Sequence, residues 1–389
     1  MPSLDAHRPT WAEIDLDALS SNLAAVRRRI GPRPILAVVK ANAYGHGASE
    51  VARALEKEGV ERFGVAIPEE GIELRRAGIR APILVMGGFA PPQAELLLQH
   101  SLVPAIYRPD QVESLSSAAA RRGVAAPAHL KIDTGMGRLG VPAADVPAFL
   151  PILRRAVSVR LIGAFSHLAV ADDPADPFTT RQIGLFQESI AALRAAGQSP
   201  DEVHLANSAA VMDHPPAWLT LVRPGLVLYG YLPSSRVTPL PVRPVLSLKT
   251  RIIYIKDLPP GATLGYGRTF EARRVTRVAS LAIGYDDGLP RLLSNRGHVL
   301  VRGRRAPIVG RVSMDLTTID VTDVPGAALG DEVMILGAAG REIVDADRIA
   351  AWAETISWDV LCGIGSRVPR LYVRGTERRV VSRFGEIEA

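Results

Sequence analysis

The chain has 389 residues, 47% of them hydrophobic and 22% charged, with a net charge of +6 and one cysteine, Cys362. That length accommodates two domains or one large barrel. A single cysteine excludes an intrachain disulfide and a cysteine-built zinc site. No zinc-finger, helix-turn-helix or RNP-like pattern accompanies the arginine excess, so a solvated basic surface is read in place of nucleic-acid binding.

Residues 1–8 carry Asp5, His7 and Arg8 and no apolar core of a signal peptide. No run reaches about 18 consecutive apolar residues, so no membrane span is expected and the protein is placed in the cytoplasm. From there to about residue 230, short apolar runs alternate with helix-length segments. Strands are expected at 35–40, 63–67, 83–86, 103–106, 128–132, 161–165, 203–205 and, less cleanly, 221–228. Leu16, Leu19, Leu23, Val26 and Ile30 form one helical stripe, and 68–77, 92–100, 110–122 and 179–196 are amphipathic at similar length. Eight strand–helix units in this length predict an α/β fold built on a (β/α)8 barrel; an open doubly wound sheet is the alternative.

After Tyr231 the texture changes. The proline- and serine-rich stretch 233–244 reads as a linker. Beyond it come β-like runs at 245–255, 277–283, 298–301, 306–312, 316–321 and 331–336, with one helical piece near 345–354. The expected domains are therefore a barrel over 1–240 and a mostly β C-terminal domain over 241–389. Residues 9–14 are a candidate to pair with the β domain. The neighbours of Cys362 suggest a buried structural thiol, and nothing points to a metal site.

In such a barrel the C-terminal strand ends carry the chemistry, and phosphate is often held after strands 7 and 8. Strand 1 ends in Lys40; a lysine closing an apolar run is desolvated, which favours the neutral amine a Schiff base needs. A lysine snorkelling from a strand end fits the same pattern. Asn207-Ser208 opening a helix, with Gly225 after strand 8, offers backbone N–H groups and a hydroxyl to a phosphate; an N-cap and a turn glycine explain them equally. Together at one barrel mouth, lysine and phosphate site describe a phosphorylated aldehyde cofactor.

The run Ala37-Val38-Val39-Lys40-Ala41-Asn42-Ala43-Tyr44-Gly45-His46-Gly47 resembles the cofactor-lysine signature of the bacterial alanine racemases, which are pyridoxal-phosphate enzymes of fold type III. The resemblance extends over nearly the whole chain, through 8–16, 131–140, 264–270, 283–288 and 310–315. It implies an isomerase that interconverts L- and D-alanine with two bases and supplies D-alanine for peptidoglycan and the cell wall.

In that reading Lys40 holds pyridoxal 5'-phosphate and serves the D-isomer, while Tyr266 serves the L-isomer from the partner subunit of a homodimer with shared active sites. Two groups are required because exchanging enantiomers moves protons on both faces of a planar carbanion. A phenol is a poor base without a nearby cation, and Arg268 and His167 are candidates for that surrounding. Arg223 is expected at the pyridine nitrogen, where a fixed cation leaves the ring unprotonated and limits side reactions. Arg138 is expected on the cofactor's phenolic oxygen and the substrate carboxylate, with Lys131 a carbamylation candidate beside it. Tyr44, Asn207, Ser208, Gly225 and Leu226 map to the phosphate grip, His167 packs by the cofactor ring, and Tyr285 and Met314 of the partner subunit map to the carboxylate side, Met314 through its backbone N–H.

The segment Ser357-Trp358-Asp359-Val360-Leu361-Cys362 departs from the family pattern. Trp358 stands where many members carry a phosphate-binding tyrosine. Indole only donates and is larger than phenol, so the alternative is a broader alanine/serine racemase. A non-catalytic cofactor-binding barrel would lack the β domain, and a decarboxylase of this architecture presents an acid in place of Arg223.

Overall fold

The computed structural model describes residues 8–383; most of the leader region considered above, 1–7, lies outside them. The described chain separates into two compact units, one comprising Leu19–Ala43 and Ala48–Arg243, the other 8–18, Tyr44–Gly47 and 244–383.

The first unit is a closed parallel barrel. Strands Leu36–Val38, Arg62–Val65, Ile83–Val85, Val103–Ile106, Ala126–Asp133, Val159–Phe165 and Glu202–His204 pair in that order. The eighth position is a short extended stretch with a parallel bridge between Ile35 and Val222. It is bonded on both sides: Leu36 N donates to the Val222 carbonyl at 2.9 Å and Val38 N to that of Pro224 at 3.0 Å, while Arg223 N donates to Ala206 at 2.9 Å. The predicted 221–228 strand stops early because Pro224 removes a donor and Leu226–Tyr229 winds into a 3-10 turn. Helices Leu16–Ile30, Ala48–Lys57, Pro68–Arg76, Ala94–Gln99, Pro109–Arg122, Val146–Arg155 and Phe178–Ala195 alternate with the strands. Leu19, Leu23, Val26 and Ile30 are buried along the first of them, as their spacing requires. The strand residues Val65, Val85, Ile106, Leu130 and Ile132 are almost wholly buried, the pattern of a sheet covered on both faces.

The second unit is a ten-stranded sheet. Its spine is Leu246–Leu258, flanked by Glu332–Ala339 and by Thr10–Asp15. A register shift between Ile252 and Tyr254 bends this strand so that its far half pairs with Thr276–Leu281 instead. Thr10–Asp15 also runs parallel to Arg370–Arg374, so the chain start belongs to the β unit and not to a 1–240 barrel. Tyr44–Gly47 belongs there as well. Gly45 lies so close to the backbone at Leu361 that a Cβ would sit 2.0 Å from its carbonyl oxygen, and Gly47 so close to Tyr372 that only glycine fits. Arg370 Nη2 donates to the Gly45 carbonyl at 3.1 Å and the Tyr372 hydroxyl to that of His46 at 3.1 Å. Cys362 is exposed, contrary to the buried thiol expected: Ser357, Val360 and Leu361 face inward on helix Ser357–Cys362, and Cys362 falls off that face. Among the described residues no helix is long and apolar enough to cross a membrane.

Candidate functional site

Lys40 falls two residues past the first barrel strand, half-buried at its C-terminal end. The strand cannot continue to it, because Ala41, Asn42, Ala43 and Tyr44 all take left-handed backbone, with φ of 52° or 53°. Such a conformation costs about 1–2 kcal/mol per non-glycine residue, so it persists only where bonds hold it. Here Ala41 N donates to Glu70 Oε1 at 2.7 Å, Ala43 N to the Val39 carbonyl at 2.8 Å, and Ala48 N to Asn42 Oδ1 at 2.8 Å. The turn fixes the point at which Lys40 leaves the strand.

Lys131 projects from the long fifth barrel strand, with Nζ donating to the Met86 carbonyl at 3.3 Å and lying 5.4 Å from the Phe165 ring centre. Burial pushes its ammonium down to about 8, and the charges of Arg138, Arg223 and Lys40 add to the effect, while Asp133 opposes it. The exposed Arg138 closes the loop that follows, where Asp133 Oδ1 accepts from Gly135 N at 2.9 Å and Gly137 N at 3.1 Å. His167 is pushed down to about 3, first by burial and then by Arg223, Arg138, Lys131 and Lys40, so it is neutral throughout the physiological range. Four cations thus act on one barrel mouth.

Asn207 caps helix Ser208–Asp213, its Oδ1 accepting from Ala210 N at 3.0 Å. Ser208 Oγ accepts from Gly225 N at 3.0 Å and Val227 N at 3.4 Å, which brings 207–208 and 225–226 together as the barrel order requires. Tyr44, Trp358, Tyr266, Tyr285 and Met314 are all in the β unit. Burial, and to a lesser extent Cys362, pushes the Tyr44 hydroxyl up, so it remains a donor. Trp358 is half-buried on its helix. Tyr266, Tyr285 and Met314 are exposed, Tyr266 to 72%. Arg268, expected beside Tyr266, turns back to donate to Thr263 Oγ1 at 3.0 Å. Arg311 approaches the same turn, its guanidinium carbon 3.3 Å from where a Cβ on Gly267 would be.

Behind Arg223, which the sequence marks, stand groups that it does not: His204, His129, Glu202 and Arg62. Arg223 is almost wholly buried, and burial pushes it down to about 9. It bonds to the Ser166 carbonyl at 2.7 Å, the Leu205 carbonyl at 3.1 Å and His204 Nδ1 at 2.9 Å. An arginine only donates, so His204 accepts through Nδ1 and carries its proton on Nε2. That nitrogen meets His129 Nδ1 at 2.9 Å, and His129 Nε2 faces Glu202 at 3.4 Å. Arg62 closes the line on Glu202 at 2.7 Å. Burial lowers both histidines, which keeps them neutral and their tautomers fixed. Gly163 marks the place in sequence: a Cβ there would lie 2.3 Å from the His129 ring.

The donor set fits pyridoxal phosphate. A lysine for its aldehyde, a buried arginine with no carboxylate partner among its bonds, and a mouth whose cations depress one another all suit an anionic, phosphorylated ring.

Residues 14–233 match the model for the alanine racemase N-terminal domain, and 245–372 that for the alanine racemase C-terminal domain. The chain is 44% identical over 367 residues to the alanine racemase of Halothermothrix orenii, covering 94% of this chain and 97% of that one. Among solved structures, alanine racemase from Bacillus anthracis with bound L-Ala-P superposes with a TM-score of 0.92 at 34% identity, over 98% of this chain and 99% of that one. Alanine racemase from Bartonella henselae with covalently bound pyridoxal phosphate gives 0.84 at 30% identity, over 94% and 99%. Barrel, β domain and sequence agree across nearly the full length, and this chain belongs to the alanine racemase family.

Proposed function

We propose that this chain racemises alanine with pyridoxal 5'-phosphate, acting as a homodimer in the cytoplasm and supplying D-alanine for peptidoglycan. The observation that carries the reading is the convergence of Lys40, Lys131, Arg138 and Arg223 on the barrel mouth around His167. When bound, the cofactor draws electron density from the substrate's α-carbon and makes its proton removable. Lys40 holds the cofactor covalently and moves the proton on the D face. Tyr266 of a second copy moves it on the L face; the exposure of Tyr266, Tyr285 and Met314 in the single chain supports burial of this surface by a partner.

Arg223 is held as a donor by three acceptors and offers its charge to the ring nitrogen without giving up a proton. Asn207, Ser208, Gly225 and Leu226 of the barrel take the phosphate. Arg138 receives the substrate carboxylate together with the partner subunit's Tyr285 and Met314, and the neutral His167 packs beside the ring.

The reading is tested by assaying the purified, cofactor-loaded protein on alanine, serine and larger amino acids. Turnover of alanine above the others is expected; its absence overturns the reading. A serine rate within about tenfold of alanine that drops in Trp358→Tyr identifies Trp358 as the source of broader specificity.

Lys131 carries a pH prediction. With its ammonium lowered to about 8 by burial, about one lysine in ten at this position is neutral at pH 7. Carbamylation consumes the neutral amine. Incorporation of 13C-bicarbonate as a carbamate signal is therefore expected to rise with pH through about 8 and fall away below it. The signal should vanish in Lys131→Met, and its persistence there places the modification elsewhere.

A further inference from the structure

Tyr285 and Met314 are exposed side chains on two loops of the β unit that meet backbone to backbone. A Cβ on Gly284 would lie 2.2 Å from the Met314 carbonyl oxygen and 2.3 Å from that of Ser313, so the approach needs glycine. Tyr285 N donates to the Ser313 carbonyl at 3.0 Å and Asp286 N to that of Met314 at 3.1 Å. A third segment closes on them, with Gly365 N donating to the Asp287 carbonyl at 3.0 Å.

Arg367, two residues on, sends one guanidinium across the junction. Nε donates to Asp287 Oδ1 at 2.7 Å, Nη1 pairs with Asp286 Oδ2 at 2.9 Å, and Nη2 pairs with Asp315 Oδ1 at 2.8 Å and faces the Met314 carbonyl at 3.4 Å. The immediate neighbours of both Tyr285 and Met314 are thus bonded to one rigid plane. Asp287 has other support: fully buried, it also takes Arg8 at 2.5 Å and accepts from Gly284 N at 2.8 Å. Asp286 and Asp315 are more than half exposed, and ion pairs of that kind contribute little to folding. A planar fork bonded at all three nitrogens instead restricts the angles between the groups it joins.

We propose that Arg367 is a positioning residue that sets Tyr285 against Met314 and so determines how tightly the substrate carboxylate is held. The inference rests on the reading of Tyr285 and Met314 as carboxylate-side groups. A lysine offers a point charge that serves these partners only in turn, so it restores charge without restoring the angle. A loosened carboxylate contact weakens ground state and transition state alike, which raises KM and leaves kcat nearly unchanged.

The test compares Arg367→Met, Arg367→Lys and Tyr285→Phe as cofactor-loaded full-length proteins, measuring KM and kcat for both alanine enantiomers, thermal midpoint and cofactor absorption. Arg367→Met is expected to raise KM about tenfold for both enantiomers with kcat within about twofold and absorption unchanged. Arg367→Lys should recover only part of the loss. An unchanged KM in both Arg367 variants overturns the inference, as does a loss of kcat that follows the thermal midpoint while KM stays constant. Tyr285→Phe separates the two levels: a raised KM there leaves the carboxylate reading standing when Arg367 fails, and an unchanged KM in all three removes both.

Discussion

Lys40→Ala is expected to lower alanine racemisation by about four orders of magnitude or more and to abolish the visible absorption of a covalently held cofactor. The size follows from the two roles proposed for this one amine, attachment and proton transfer, neither of which alanine can supply. The left-handed turn over Ala41–Tyr44 fixes where the side chain at position 40 departs, and the substitution leaves that backbone intact. The phosphate grip, Arg223 and Arg138 also remain, so the variant should still bind the cofactor without covalent attachment. Lys131 is the rival. Its amine, lowered to about 8, is near enough to Lys40 for their charges to interact. Its amine is engaged by the Met86 carbonyl at 3.3 Å on the barrel wall. Covalent attachment that persists in Lys40→Ala and disappears on further replacement of Lys131 would reverse the assignment. Partial recovery of proton transfer by small added amines would support the base role.

Tyr266→Phe is the second large effect, about two to four orders of magnitude in racemisation. The two enantiomers have equal free energy, so their interconversion has an equilibrium constant of one. Any variant must therefore lose kcat/KM equally in both directions, and net racemisation alone cannot show which base is missing. Exchange of the α-proton with solvent can. With Lys40 intact, washout of deuterium from D-alanine should continue at a rate close to that of the unaltered enzyme, while washout from L-alanine falls with racemisation. Equal loss of both exchanges would rule out a two-base division between Lys40 and Tyr266.

The barrel was legible because its strands are short apolar runs at regular intervals, and burial on both faces leaves them little other composition. Seven of the eight expected strands overlap the observed ones, and the eighth is cut short at Pro224. Strand Arg370–Arg374 went unread because its apolar run is only Leu371–Val373 between two arginines, and Glu377–Val381 because glutamate and arginine fill three of its five positions. The last is an exposed edge, where charge deters pairing with another chain.

At the site, Lys40, Ser208, Arg223 and Gly225 could be placed because barrel topology sends strand ends to one face. The line from Arg223 through His204 and His129 to Glu202 could not. Those residues lie on three separate strands, and no local pattern distinguishes a histidine that bonds another histidine from one that packs. The same holds for Arg367, whose three carboxylates are 52–81 residues away in the chain.

The sequence alone thus determined most of the elements, their order and the family, since each is encoded in periodicity or in contiguous motifs. Which unit owns Thr10–Asp15 and Tyr44–Gly47, the tautomers of the buried histidines and the arginine joining the loops of Tyr285 and Met314 were decided by tertiary structure. They are long-range matters of hydrogen-bond partner and close approach, and a chain written in one dimension does not record which distant groups will meet.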